Sequence, residues 1–409
     1  MKRSFVVAVG GAGVGGLAAA TRLARLGHRV TVFDKASAPA PVGSGLVVQP
    51  VGLAALEDIG LADRLRALGR PIERLLGKTQ PSGATVLDAR YRKGAYGLAV
   101  QRAALFDLLL DAAKAAGVEI RHGEEVTAVA ARSGRPRVSL VGGEIVEADL
   151  VVDALGARSV LSPSPGRPLD YGALWATLRW PEDPPLPPTR LEQRYRKASQ
   201  MTGLLPVGRT ETDPTDRVAY FWSLRRDRIA AWRAAPIEDW RRQALALWPE
   251  SAPVVNQVES HADFTPAVYR HRTLARPVDG RLVHLGDSWH ATSPQLGQGA
   301  NMALLDAAAL GAALRETADL DDALRDYAAR RRWHIAVYQL ASRLFTPVYQ
   351  SDSAVLPVIR DRLVAPLISV WPASRVISAL VEGGVARPLL HAGLDHRGSP
   401  SAARRPKLR

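Results

Sequence analysis

Cysteine is absent from all 409 residues, which rules out a disulfide framework, a thiolate-ligated metal and a cysteine nucleophile. No uninterrupted apolar run reaches the roughly 18 residues that a spanning helix needs, so membrane association is not expected. Met1-Lys2-Arg3 and the apolar residues after them look like the start of a secretory signal, but glycines at 10, 11, 13, 15 and 16 break the run. A cytoplasmic protein is therefore expected. Aromatic residues are few, 6% of the chain, and no basic stretch interleaved with aromatics marks a nucleic-acid surface. Charge is one-sided nonetheless, with a formal net of +14. The arginines are scattered over helix-like segments, so this excess reads as a solvated surface, and no nucleic-acid partner is expected.

What remains is the balance of an ordinary globular protein, 47% hydrophobic and 23% charged, with length enough for one large or two medium domains. Residues 4–9 are a short β-rich run leading through glycines into an Ala/Leu-rich stretch, 17–26, with helical spacing that closes at Gly27. Residues 28–33 then read as a second strand. This βαβ opening requires a parallel sheet with a right-handed crossover. Further helices are predicted at 51–68 and 102–116, and strands at 118–121, 126–130, 137–141 and 145–152. After about residue 162, Pro-rich segments bracket alternating runs at 174–180, 191–195 and 218–224, the pattern of an inserted antiparallel sheet. The first pattern returns at 281–285 and 301–314. From residue 321 the chain reads as helical with proline interruptions, and its apolar stretches 355–368 and 376–390 read as core helices in preference to a surface for a dimer partner or a membrane. The Pro, Ser and Arg content of residues 396–409 predicts a disordered basic tail.

The strongest motif is Gly11-Ala12-Gly13-Val14-Gly15-Gly16, a G-x-G-x-x-G between strand and helix, with Asp34 at the end of the next strand. Gly11 permits the tight turn, Gly13 lets backbone approach a pyrophosphate, and Gly16 allows close helix packing, while the helix N-terminus offers free N–H groups and a positive dipole end. Asp34 is suited to accept hydrogen bonds from a ribose diol, and Lys35 beside it joins the binding candidates. Strand, helix and acid at these separations predict an adenine dinucleotide, without deciding between FAD and NAD.

That decision comes from a second segment. Arg281-Leu282-Val283-His284-Leu285-Gly286-Asp287-Ser288-Trp289-His290 is followed by Pro294-Gln295-Leu296-Gly297-Gln298-Gly299-Ala300-Asn301 and, one helix on, Asp306. Here the sequence resembles the FAD-dependent aromatic hydroxylases, the para-hydroxybenzoate and ubiquinone-biosynthesis hydroxylase group, in order across most of residues 4–345. The resemblance implies FAD as cofactor and an α/β fold: a Rossmann-like FAD-binding domain, an inserted, mainly antiparallel-sheet substrate domain, and C-terminal helices. The expected division is 1–75, 99–165 and 276–345 for FAD, 76–98 and 166–275 for substrate, 346–395 for the helical region and 396–409 for the tail.

It also implies roles for residues. Asp287 would bind ribityl hydroxyls, and Gly297 and Gly299 would let backbone lie against the flavin ring. A helix starting near Ala300 and Asn301 would aim its positive end at that ring. Arg102, opening a helix after Gln101, and Gly45, in the stretch Gly43-Ser44-Gly45-Leu46-Val47-Val48-Gln49-Pro50, match flavin-contacting positions. Pro294 and His290 are the catalytic candidates, and Trp175, Tyr195, Met201 and Trp222 the candidates for the substrate pocket. One departure stands out. Where the family carries Asp-Gly, this chain reads Asp153-Ala154-Leu155-Gly156, with leucine in the acid's place and Asp153 two residues earlier.

The expected function is a flavin monooxygenase hydroxylating an aromatic or polyketide-like molecule with O2 through a flavin C4a-hydroperoxide. NAD(P)H would be a transient reductant, since only one G-x-G-x-x-G is present. A non-hydroxylating reductase or oxidase on the same fold is the alternative, kept by Leu155, and a non-catalytic FAD-binding or membrane-associated subunit is a third reading. A homodimer is a further expectation. The nine histidines are dispersed, and no metal-ligand spacing competes.

Overall fold

The computed structural model describes residues 4–39, 43–131, 134–368, 370 and 372–394; the first three residues and the predicted tail lie outside the described residues. A six-stranded sheet is built from β1 (Val6–Gly10), β2 (Arg29–Asp34), β8 (Glu119–His122), β12 (Leu150–Asp153), β18 (Val278–Asp279) and β19 (Leu282–His284), in the order β18-β19-β12-β1-β2-β8. All its pairings are parallel except β18 with β19. A parallel sheet is covered on both faces, which is why β1 and β12 are apolar almost throughout. On one face pack α1 (Val14–Arg25), α4 (Arg102–Ala115) and α9 (Gly299–Glu316), with Leu17, Leu105 and Leu305 fully buried between them. On the other lies a meander of β9 (Val126–Ala130), β10 (Arg137–Leu140) and β11 (Ile145–Glu147), which closes over Ala8, Phe33 and Val151.

The second large sheet has seven strands: β5 (Arg74–Thr79), β6 (Thr85–Arg90), β13 (Arg167–Arg179), β14 (Arg190–Arg196), β15 (Gln200–Gly208), β16 (Arg217–Arg225) and β17 (Thr265–His271), in the order β17-β13-β16-β15-β14-β5-β6. Only β5 with β14 is parallel. Its outer face is sealed by α5 (Ile229–Ala234), α6 (Ile237–Leu247) and α7 (Ala252–Val255), through Trp240, Leu247 and Val254. A three-stranded sheet of β3 (Gly45–Val48), β4 (Arg70–Ile72) and β7 (Gly97–Gln101) joins the two halves, with α2 (Pro50–Asp58) and α3 (Ala62–Leu68) beside it. The short α8 (Asp287–His290) follows β19. The chain ends in α10 (Leu320–Tyr349), α11 (Leu356–Ile359), α12 (Ala365–Ile368), α13 (Ala373–Glu382) and α14 (Pro388–His391).

Three predicted elements differ from what forms. The helix expected at 51–68 breaks into α2 and α3 around Gly60, whose φ of +69° belongs to the left-handed region that glycine tolerates. The strand expected at 145–152 is two strands in different sheets. The C-terminal apolar stretches are not core helices throughout: Val355, Leu363, Leu367 and Val376 are exposed, as are Trp333, Leu340 and Leu344 on α10. Among the described residues no helix is long and apolar enough to cross a membrane.

Candidate cofactor and substrate site

The parallel sheet's C-terminal edge is where ligands of open α/β sheets bind. At that edge β1 turns sharply at Gly11, which has a φ of +100° and whose N–H donates to the Phe33 carbonyl at 2.7 Å. Gly13 is the N-cap of α1, in extended conformation, with no side-chain cap and no acidic residue in the first turn. The first N–H groups of the helix therefore lack an intrachain side-chain partner. A Cβ on Gly13 would meet nothing within 4 Å, whereas one on Gly16 would run into the carbonyl oxygen of Gly11. The two glycines thus serve different needs: Gly16 lets α1 lie on the turn, and Gly13 keeps a floor open. Asp34 is half-buried and already holds the turn, accepting from Ala12 N–H at 2.7 Å on Oδ2 and from Ala36 N–H at 2.8 Å on Oδ1. A carboxylate has about four lone-pair sites, so two remain for a ligand. Lys35 is exposed beside it.

At the same edge, β19 ends in Gly286, φ +62°, and Asp287. The Asp287 side chain is exposed although protein atoms crowd it from most directions, the position of a carboxylate at the floor of an open cleft. Desolvation by those surroundings raises its pKa, against the lowering effect of His290, Arg102 and Arg272. Gly297, φ +61°, ends a short turn begun by Pro294, which is exposed, and Gly299 begins α9 with no side-chain cap and no acidic residue in its first turn. A Cβ on Gly299 would lie 3.9 Å from Asp287 Oδ1. Arg102, exposed at the start of α4, lies against Gly43, φ +103°, at 3.3 Å from where its Cβ would be.

Several predicted residues do other work. Asn301 is sealed from solvent and clamps three segments: Nδ2 donates to the Val47 and Gly297 carbonyls at 3.1 and 3.0 Å, and Oδ1 accepts from Gln49 N–H at 2.8 Å. Ala300 beside it is half-buried. Gly45 is required by packing, since a Cβ there would press on Val207 and Ala219 of the large sheet. His290, a catalytic candidate, is only 1% exposed, and its Nε2 meets Asp306 Oδ2 at 2.6 Å. The structure thus places it behind the cleft, holding the loop rather than facing a ligand. Asp153 is fully buried and does not replace the acid missing at Leu155. Its carboxylate accepts from Leu155 N–H at 3.0 Å and Ser159 Oγ at 2.6 Å, and lies 2.7 Å from His284 Nδ1. Leu155 itself packs against Gly10.

Sequence reasoning missed Arg331. It is fully buried on α10, and its Nε donates to Asp306 Oδ1 at 2.6 Å. The signal was available, because Leu320, Leu324, Tyr327, Arg331, Ile335 and Tyr338 form one helical stripe, and an arginine on an apolar stripe demands a buried partner.

On the large sheet, Trp175, Tyr195 and Met201 share the face turned toward the C-terminal helices. Trp175 lies tilted against Phe221 at 4.9 Å between centroids and donates to Tyr269 Oη at 2.8 Å. Trp222 belongs to the opposite face, buried with Leu174 and Trp240 under α6. The alternation of strand side chains forces this, since residues 221 and 222 must point apart. The inward face borders a mainly apolar cleft. Leu75, Leu87, Gln193 and Tyr195 of the sheet line it, together with Gln295 and Leu296 of the Pro294 turn, Phe345 and Tyr349 of α10, and Ile377, Leu380 and Val381 of α13.

Among known proteins, the family model described as FAD binding domain matches residues 4–338. The FAD-dependent urate hydroxylase of Klebsiella pneumoniae subsp. pneumoniae is 28% identical over 343 residues, covering 78% of this chain and 84% of that protein. The 3-amino-4-hydroxybenzoate 2-monooxygenase of Streptomyces cremeus is 29% identical over 386 residues, covering 88% and 91%. Among solved structures, Klebsiella pneumoniae HpxO complexed with FAD and uric acid superposes with a TM-score of 0.76 at 23% identity, covering 92% of this chain and 96% of that one.

Proposed function

The chain belongs to the FAD binding domain family across residues 4–338, and from that premise we propose a flavin-dependent monooxygenase that hydroxylates a small aromatic molecule with NAD(P)H and O2. The observation that carries this reading is the convergence, on one edge of a parallel sheet, of two uncapped helix N-termini and two carboxylates with sites to spare, next to an apolar cavity. The glycine cradle fits FAD: Gly11, Gly13, Gly16 and the start of α1 would hold the pyrophosphate, and Asp34 a ribose. Asp287 would take ribityl hydroxyls, while the Gly297–Gly299 backbone, Ala300 and the start of α9 would face the ring, with Arg102 closing the other side.

When bound, the flavin supplies electron transfer and oxygen activation. The chain's own part is positional. The positive end of α9 would oppose negative charge on the ring, Asn301 fixes that helix to β3, and the Pro294 turn, which borders the cavity, would hold the ring beside it. Apolar walls then exclude water from the reacting carbon. The molecules named in the relatives above, urate and an aminohydroxybenzoate, are small unsaturated rings, which supports the substrate class. The division into FAD and substrate units stays part of the proposal, as do a homodimer, supported by the exposed apolar residues of α10 to α13, and a cytoplasmic setting, where NAD(P)H is supplied.

A second reading, an FAD oxidoreductase that does not hydroxylate, is favoured by one observation: Leu155 stands where the resemblance expects an acid, and Asp153 is fully engaged elsewhere. The test is to purify the protein with FAD, supply NAD(P)H and 18O2 with a panel of phenols and aromatic heterocycles, and look for one labelled oxygen in a product. FAD reduced by NAD(P)H with all oxygen recovered as hydrogen peroxide, whatever the ring offered, would sink the monooxygenase reading in favour of the second.

A further inference from the structure

We infer that the molecule held in this cavity is an uncharged ring bearing an apolar extension, bound by a pair of glutamines, and not a benzoate-type anion. The inference rests on the monooxygenase reading and narrows its substrate class.

The argument starts from what lines the cavity. Two sides are hydrocarbon, from Leu75 and Leu87 of the sheet and from Leu380 and Val381 of α13, and no Lys, Arg, His, Asp or Glu is among the lining residues. An ionised carboxylate moved from water to such a wall costs several kcal/mol unless a cation meets it. Behind the two lining tyrosines lies the guanidinium of Arg360. It is fully buried beneath the rings of Tyr195 and Tyr349, 5.1 and 5.5 Å from their centroids, and its Nε donates to Asp361 at 2.6 Å. Its charge is paired and the two rings stand between it and any ligand.

The polar groups in the wall are complementary. Gln295 Nε2 donates to Gln350 Oε1 at 3.2 Å, which leaves its Oε1 as an acceptor. Gln193 Oε1 accepts from Tyr195 Oη at 2.6 Å, and among the described residues its Nε2 has no acceptor, which leaves a donor. One donor and one acceptor match a lactam or a phenol hydroxyl, both neutral at pH 7. Whichever end each amide presents, both partners are uncharged. Gln295 sits one residue after Pro294, so the recognised polar group would lie on the side of the cavity next to the expected flavin site and the rest of the molecule would run under α13. That roof is tied to the same loop, since Gln298 Nε2 donates to the Val381 carbonyl at 2.7 Å.

The experiment compares para-hydroxybenzoate with its butyl ester, which share ring and phenol and differ in charge and apolar tail, by calorimetric titration of the FAD-loaded protein at pH 7. The ester is expected to bind at least about 10-fold more tightly, with Gln193→Leu weakening it about 5-fold or more. Leu87→Arg is expected to reverse the preference toward the acid. Equal affinities, tighter binding of the acid, or no binding of the ester by the unmodified protein overturns the inference. Tight ester binding with NAD(P)H oxidised but no oxygenated product leaves the inference standing and removes the hydroxylase reading instead.

Discussion

Asp306 of α9 and Arg331 of α10 meet at 2.6 Å with both side chains fully buried, and the same carboxylate also accepts from Gly286 N–H at 2.9 Å. A buried pair therefore fixes the backbone next to Asp287, far enough behind the cleft that no ligand touches it. Burial alone would raise the Asp306 pKa, but the charges of His290 and Arg331 outweigh it and pull the value down to about 2. Removing one partner strands the other charge, at a cost of about 3–5 kcal/mol. Asp306→Ala is expected to lower unfolding stability by that amount and to release FAD. The double change Asp306→Leu with Arg331→Met is expected to recover much of the stability but not the FAD affinity, because Gly286 still lacks its acceptor. Denaturant melts and FAD titration of the two variants check this; equal FAD affinity in the double variant and the unmodified protein would count against a positioning role.

The glycines of the turn separate folding from binding. Gly16→Ala puts a methyl group against the Gly11 carbonyl and is expected to destabilise the apoprotein by about 1–3 kcal/mol, as overpacking does. Gly13→Ala meets nothing in the protein, so apoprotein stability is expected to stay within about 0.5 kcal/mol while FAD affinity falls. Melting each variant with and without added FAD reads both quantities. A Gly13→Ala protein that keeps its full FAD-dependent rise in Tm would show that the pyrophosphate does not lie on this turn.

Asp153 is a structural residue by its contacts. Its carboxylate joins β12 to β19 through His284 and anchors the following turn through Ser159 and Leu155 N–H. Asp153→Ala is expected to cost about 2–4 kcal/mol, from stranded buried donors, and to slow turnover only as far as the protein unfolds. Activity per folded molecule, measured well below the variant's Tm, is the check. A hundredfold loss there with an unchanged melt would mean that Asp153 takes part in the reaction.

The glycine-rich turns were legible from sequence because each position carries a backbone demand that few residues meet, so the strand–turn–helix at Gly11 and the loop at Gly297 announce themselves. The substrate face was less legible. Alternation along β16 says that Phe221 and Trp222 point apart, but not which of them looks toward α13, since that depends on where distant helices pack. For the same reason α13 read as core, although one side of it roofs the cavity and Val376 on it is exposed. The burial of His290 against Asp306 was not legible, because proximity to a glycine loop in sequence does not tell which side of the loop a side chain takes. Arg331 was the readable residue that went unread.

His334 supplies a pH test of the roof. It is 1% exposed on α10, and its Nε2 lies 3.1 Å from the Gly383 carbonyl at the end of α13. Burial and the nearby Arg331 charge push its pKa down to about 3 from the usual 6.5, against smaller raising effects from the Gly383 carbonyl and Asp306. The folded state therefore holds His334 neutral while the unfolded chain protonates it readily. Its contribution to stability is complete above the unfolded pKa near 6.5 and is lost as pH falls from there toward 3, at up to about 1.4 kcal/mol per pH unit. His28 and His271, both lowered mainly by burial, act with the same sign, whereas Asp306, whose folded pKa is lowered, keeps its full contribution above about pH 4 and loses it only below that. Stability is thus expected to fall between pH 7 and 5, with the histidines responsible. His334→Gln retains a group able to reach the Gly383 carbonyl but cannot titrate. It is expected to start less stable at pH 7 and to lose less on acidification, so the measured quantity is the slope of unfolding free energy against pH and not its absolute level. A slope identical to that of the unmodified protein would mean that His334 is not held neutral by the packing of α13 on α10.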